Sequence, residues 1–484
     1  MPSQTHPDKM VAPGVSSVTS MPFIVSRSAD KADAATRKLI RSHVMRGKKQ
    51  NRLRPSKRQL QLLQKEQEQC NPAKRVGAVP VGAEELQLEL ICRYAAPIPR
   101  RVGSDFSFVE FADDIEPEMV VNVIKFSTFA TRIIFPLLSL TRCPAASEHD
   151  RFFPIIRDAP LLHITTYTVE CFIDRVLRNR AREDDNVTAR LHFQRGVALL
   201  RERLLREGVG DGDKLSDETV TTVVKLASAA HFNGSGVEAR RHMQGLRRMV
   251  ELRGGICGFR GSGIWFEMLR CDLGIAMLNG CDPVFFGDGA PPYPEKLVLD
   301  EISPQDAAGT LQVDGELATA WRVVRRFCLL VDLATQTQRS LRQDLIGDTM
   351  AAVMYRLLRM RFDSGSVDEA VRHGLLAFVH HVFLQWQDIR LPYRSFPEAY
   401  KACIVCLLEK GDASPRLILW LLYIGAMSTW DVSAEPWLMD GLSEYAGRCR
   451  VRKWKDAHAI LKEVAWLPVM DDVAARQLYQ SLKT

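Results

Sequence analysis

From Phe106 onward, apolar residues recur at intervals of three and four. That spacing turns one face of an α-helix toward a core. Val120–Leu140, Leu161–Arg178 and Thr188–Arg206 each follow it. Ile264–Gly280 is more broadly apolar, with Trp265, Met268, Leu269, Leu273, Ala276 and Met277, and is predicted to be a buried helix. Leu317, Trp321, Val324, Cys328 and Val331 keep four-three spacing, as do Val371, Leu375, Phe378 and Val382. Leu417–Met427 is an apolar run bounded by Arg416 and Asp431, too short to span a bilayer and predicted to be a buried helix. Alternating strand patterns are almost absent, and no fixed-period repeat supports a solenoid. The expected fold is all-α: a disordered, basic N-terminal arm and linker over 1–104, then one large helical domain over 105–484. A division of that domain, if there is one, is expected near 290–315, after the Gly- and Pro-rich loop Asp282–Pro294.

The best-defined element is a helical hairpin from Ser216 to Gly255. Ser216 suits an N-cap, because its hydroxyl can accept from a first-turn N–H. Asp217 and Glu218 follow, where the helix dipole favours acids. Val220, Val223, Val224 and Ala227 form one apolar stripe, and Ala239, Met243, Leu246 and Val250 form a second. Between them, Asn233-Gly234-Ser235-Gly236 tolerates turn geometry. Gly245, beside Leu246, is predicted to let a neighbouring helix come close. Gly254 and Gly255 are predicted to end the second helix in the left-handed conformation.

The segment HMQGLRRMVELRGG, preceded by SDETV and an Ala-rich helix, resembles the fungal-specific transcription factor domain. The likeness extends upstream through FADDIEP (Phe111–Pro117), Phe135-Pro136-Leu137, Asp158-Ala159 and Leu200–Leu204, and downstream through Glu267–Phe286. It covers roughly residues 105–480 and is strongest up to Phe286. Ser216, Gly245, Leu246, Arg253, Gly254 and Gly255 carry the motif. What the resemblance implies is a helical regulatory region of a nuclear protein. In that family the region usually lies downstream of a binuclear zinc cluster, which needs six closely spaced cysteines. This chain has only Cys70 and Cys92 before residue 100, so that DNA-reading device cannot form.

Charge separates the chain into two parts. The net charge is +7, yet residues 21–58 hold twelve Lys/Arg against two Asp and carry +10. Residues 1–20 are neutral, which leaves the remaining body at −3. Within the arm, Arg46, Lys48, Lys49, Arg52, Arg54, Lys57 and Arg58 fall in thirteen residues with no acid. Such a run reads as a nuclear-import signal, a phosphate-contacting segment or both, against the plain alternative of a solvated linker. Ser26–Lys48 also resembles the N-terminal segment of some family members that lack a zinc cluster. Pro55, which interrupts the continuous helix, and the absence of a sustained leucine heptad argue against a basic zipper. The N-terminus has no apolar signal core. Eleven cysteines are spread singly, as expected of reduced thiols inside the cell.

Candidate chemistry is sparse. Cys403 and Cys406 sit in an apolar helical pattern without a second pair to complete a zinc site. His373, His380 and His381 lack a carboxylate at metal-ligand spacing. The glycine-rich Gly254–Gly263 joins two helices rather than a strand and a helix, so a dinucleotide loop is not expected. Asp158, His163 and Asp272 have no spacing that marks an acid–base set, and buried polar anchoring is the better expectation. Arg240, Arg241, Arg247, Arg248 and Arg253 invite a helix-turn-helix reading, opposed by the acidic body and by the apolar helix that follows.

Taken together, the expectation is a nuclear transcription-regulator-like protein rather than an enzyme, without cofactor, metal or membrane span. Its helical domain would bind a protein partner or a second copy, and its arm would contact DNA without sequence selectivity. An alternative from another class is a helical enzyme or metabolite-binding protein whose pocket the sequence does not disclose. A third reading is a scaffold that dimerises through an apolar helix face.

Overall fold

A computed structural model of the chain describes residues 111–115, 148–177, 186–206, 211–287, 289–298, 313–384, 395–411 and 413–482, with isolated positions between 119 and 137. All of them belong to the unit 81–484. The cluster Arg46–Arg58 and most of Val120–Leu140 lie outside the described residues. The chain is all-α, with no extended strand among the described residues.

Helix α1 (Glu148–Arg157) leads into α2 (Ala159–Phe172), which ends in a π-helical turn, Ile173–Leu177. Asp158 caps α2 by accepting from the Leu161 N–H at 2.9 Å. Next come α3 (Val187–Leu205), α4 (Asp217–Phe232), α5 (Gly236–Leu252) and α6 (Gly263–Asn279). α2 packs on α3 and α4, and α4 packs on α5. α6 touches α4, α5 and α8 (Gln343–Arg359), and so joins the first helices to the rest. Its ten buried residues include all six named from the apolar pattern. A buried helix must be apolar on most of its circumference, and α6 is.

The second half comprises α7 (Gly315–Thr337), α8, α9 (Val367–Phe383), α10 (Phe396–Lys410), α11 (Pro415–Ser428), α12 (Pro436–Arg448), α13 (Trp454–Val464) and α14 (Pro468–Ser481). α11 is its centre and packs on α9, α12, α13 and α14. Every residue from Leu417 to Ala426 is buried. Among the described residues no helix is long and apolar enough to cross a membrane. The four-three stripes of α7 and α9 are buried at each named position.

Indoles fix the corner between α13 and α14. Trp321 of α7 donates to the Val464 carbonyl at 2.8 Å, and Trp420 of α11 donates to Ala465 at 2.7 Å. Trp466, in the corner itself, donates to Asp472 at 2.9 Å. Each places a large apolar ring in the core while its N–H is satisfied. Apolar side chains on both sides of 290–315 belong to one continuous cluster running from Leu137 to Leu478.

Candidate functional site

The central hairpin forms as its caps and stripes predict. Ser216 accepts from the Thr219 N–H at 3.2 Å and opens α4. Both predicted stripes are buried, Val220, Val223, Val224 and Ala227 on α4 and Ala239, Met243, Leu246 and Val250 on α5. Gly254 and Gly255 have φ of 89° and 92°, a region that L side chains avoid. Their N–H groups donate to Glu251 and Val250 at 3.1 and 2.9 Å, the paired bonds of a Schellman ending. Arg253 turns back from this end and donates to Asp217 at 2.6 Å, with its guanidinium 4.2 Å from the Phe259 ring centre. The two far ends of the hairpin are thereby tied, and Ser216, Arg253, Gly254 and Gly255 meet there.

Gly245 is the correction. No described residue makes the close helix contact expected at this position: Gly245 is exposed, and a Cβ built on it would meet none of them within 4 Å. Leu246 points into the core, and Gly245, one step of about 100° around the helix, points away from it. Nothing among the described residues uses the missing side chain, although mid-helix glycine costs about 0.8–1.0 kcal/mol relative to alanine. Tight glycines lie elsewhere, among them Gly347, Gly374 and Gly425. A Cβ on Gly374 of α9 would stand 2.5 Å from Leu421 of α11.

The arginines of the hairpin divide. Arg247 pairs with Glu251 at 2.7 Å and reaches the Val284 carbonyl at 3.4 Å. Arg240 is half-buried, while Arg241 and Arg248 point into solvent. Beside Arg247 a cleft of about 220 Å³ is lined by Val250, Glu251, Ile256, Phe285 and Phe286. This volume is below the range of roughly 300–1,000 Å³ usual for ligand pockets.

The floor of that cleft is held by Asp272. Its carboxyl, on α6, accepts from the Val284 and Phe285 N–H groups at 2.7 and 2.9 Å and from the Tyr355 hydroxyl at 2.8 Å. Burial pushes its pKa up to about 6 against the opposing pull of those three donors. The turn it holds carries Phe286 at φ 65°, a conformation that a phenylalanine adopts only where its surroundings enforce it. The Phe286 ring rests edge-on against Tyr355, centroids 4.8 Å apart.

The three acid–base candidates separate. Asp158, besides capping α2, binds Arg203 at 2.6 Å. His163 and His192 hydrogen-bond through Nδ1 atoms 2.7 Å apart, and the His163 Nε2 faces Asp113 at 3.2 Å. Asp113 also accepts from Arg195 at 2.9 Å, a bond that chiefly holds its pKa down to about 2. Burial lowers the pKa of His163. This Asp113–His163–His192–Arg195 cluster was missed as a unit, because its members are scattered over more than eighty positions. Its one sequence signal is the acid pair in FADDI.

The remaining histidines go to different partners. His373 Nδ1 donates to the Glu369 carbonyl at 2.9 Å, His380 is fully buried, and His381 binds Asp471 at 2.6 Å. Cys403 lies 3.7 Å from His373, and burial raises its pKa to about 11, so it is a protonated core thiol. No group of three His, Cys, Asp or Glu side chains among the described residues is placed to hold a metal ion. Comparison with protein-family models, with curated proteins and with solved structures finds no match to this chain.

Proposed function

We propose that this chain is a nuclear regulatory protein whose helical body acts by binding a partner protein. Its arm supplies import and non-selective phosphate contact. The single observation that carries this reading is the charge division, +10 in residues 21–58 against −3 in the body. Non-specific nucleic-acid affinity follows clustered cations. Such affinity belongs to the arm, and the body is left for protein contacts. Support comes from the resemblance carried by the hairpin motif and from the all-α body built around it.

Import tests the reading. Neutralising Lys48, Lys49, Lys57 and Arg58 together removes four of the seven cations between Arg46 and Arg58. A fluorescent fusion of this variant is expected to move from the nucleus to the cytoplasm. Undiminished nuclear accumulation would contradict the role given to the arm.

A further inference from the structure

The outer face of α5 is a second feature of the motif, and no described residue packs on its centre. Val237, Arg241, Gly245, Arg248 and Leu252 fall within an arc of about 80° on a 3.6-residue helix. Ala239, Met243, Leu246 and Val250 lie on the opposite side, in the core. The arc is therefore one continuous outward stripe. Val237 is 67% exposed and Leu252 is 74% exposed, at its two ends. Arg241 and Arg248 have no hydrogen-bond or ion-pair partner among the described residues. Gly245 leaves a gap between them that no part of the described chain fills.

An apolar residue at each end, two unpaired cations inside them and a missing side chain in the middle suit an incoming helix. A glycine lets a second backbone approach closely. The cations call for acids at matching spacing. A second copy of this chain does not fit in the registers that bring the two Gly245 positions together. Antiparallel pairing centred between Gln244 and Gly245 would set Arg241 against Arg248, and Glu238 against Glu251, of the other copy. Parallel pairing would set each residue near its own equivalent. Both arrangements oppose like charges. Duplex DNA fits less well, because the stripe offers two free cations and ends in apolar side chains, on a body that carries net −3.

We infer that the outer face of α5 is the docking surface for an acidic amphipathic helix of a partner protein. The inference rests on the reading of the body as a partner-binding domain and names the surface. The matching helix carries two acids seven positions apart, small residues between them and apolar residues fifteen positions apart outside them. That pattern is the same read in either direction.

A labelled synthetic peptide of this design, with glutamates, alanines and leucines at those positions, is titrated against the full chain by fluorescence anisotropy. Saturable binding is expected. The double reversal Arg241→Glu with Arg248→Glu is expected to weaken it about tenfold or more. A peptide with lysines in place of the glutamates should then prefer the reversed protein. Gly245→Gln is expected to weaken binding by filling the gap while raising the melting temperature, since glutamine favours helix. That combination separates docking from a folding defect. Absence of peptide binding up to millimolar concentration, or binding indifferent to the double reversal, would overturn the inference. So would a DNA duplex that loses affinity on the double reversal while the peptide does not bind. Arm-dependent import is unaffected by any of these outcomes, so failure here is distinguishable from failure of the functional reading.

Discussion

Asp272→Ala is expected to destabilise the protein by roughly 3–5 kcal/mol, the largest effect of any polar substitution considered. Asp272 is 1% exposed, and its carboxyl serves three donors from two other parts of the chain. Alanine would leave the Val284 and Phe285 N–H groups and the Tyr355 hydroxyl without their acceptor in the core. Each such group costs about 1–3 kcal/mol when no water replaces the partner. The turn would also lose what holds Phe286 at positive φ. Chemical denaturation of wild type and variant measures the difference, and a loss under 1 kcal/mol would mean that the turn finds other acceptors.

The pH dependence follows from the same carboxyl. Its folded pKa of about 6 is raised above the ordinary value of 3.8, so the folded state holds the proton more tightly than the unfolded state does. The stability that this group contributes is therefore fully present below pH 3.8, declines as pH rises through 3.8 to about 6, and is constant above that. Asp272→Ala should abolish this part of the pH profile. An identical slope in the variant would assign it to other groups.

Gly425→Ala is expected to cost about 2–4 kcal/mol, although it adds one methyl group. Its Cβ would stand 2.0 Å from Cζ3 and 2.4 Å from Cε3 of Trp430. The ring cannot retreat easily. It stacks on Tyr400 at 4.9 Å and meets Trp437 edge-on at 5.1 Å, and its own backbone N–H donates to the Gly425 carbonyl at 2.9 Å. Trimming the ring in the double variant Gly425→Ala with Trp430→Leu should recover part of the loss, because neighbouring sites couple. Additive losses in the two single variants would contradict a clash between them.

Gly425, compared with Gly245, also shows where sequence reading succeeds and where it stops. The caps of α4 and α5 were legible, because Ser216, Gly254 and Gly255 act on backbone groups within a few residues of themselves. The buried stripes were legible for the same reason, since periodicity reports which face is covered. What covers it is not reported. Gly245 and Gly425 look alike in sequence, each beside apolar helix residues, yet one faces solvent and the other lies under Trp430. Only the fold decides between them.

Polar sites obey the same limit. Asp272 and His163 could be marked as buried anchors from their apolar surroundings. Their partners Tyr355, 83 positions away, and Asp113, 50 away, could not be assigned, because no local rule links such distances. Arg253 was legible as a motif residue, but its bond to Asp217 spans 36 positions and emerges only when the hairpin closes.

On the proposed reading, the helical body rather than the arm selects where this protein acts. Genome-wide occupancy of the full chain, compared with a variant in which residues 46–58 are replaced by an unrelated import signal, tests it most directly. Both forms are expected to be nuclear and to occupy the same discrete loci, because on that reading a partner held by the helical body directs them there. Loss of those loci in a replacement variant that still enters the nucleus would place target selection in the arm instead.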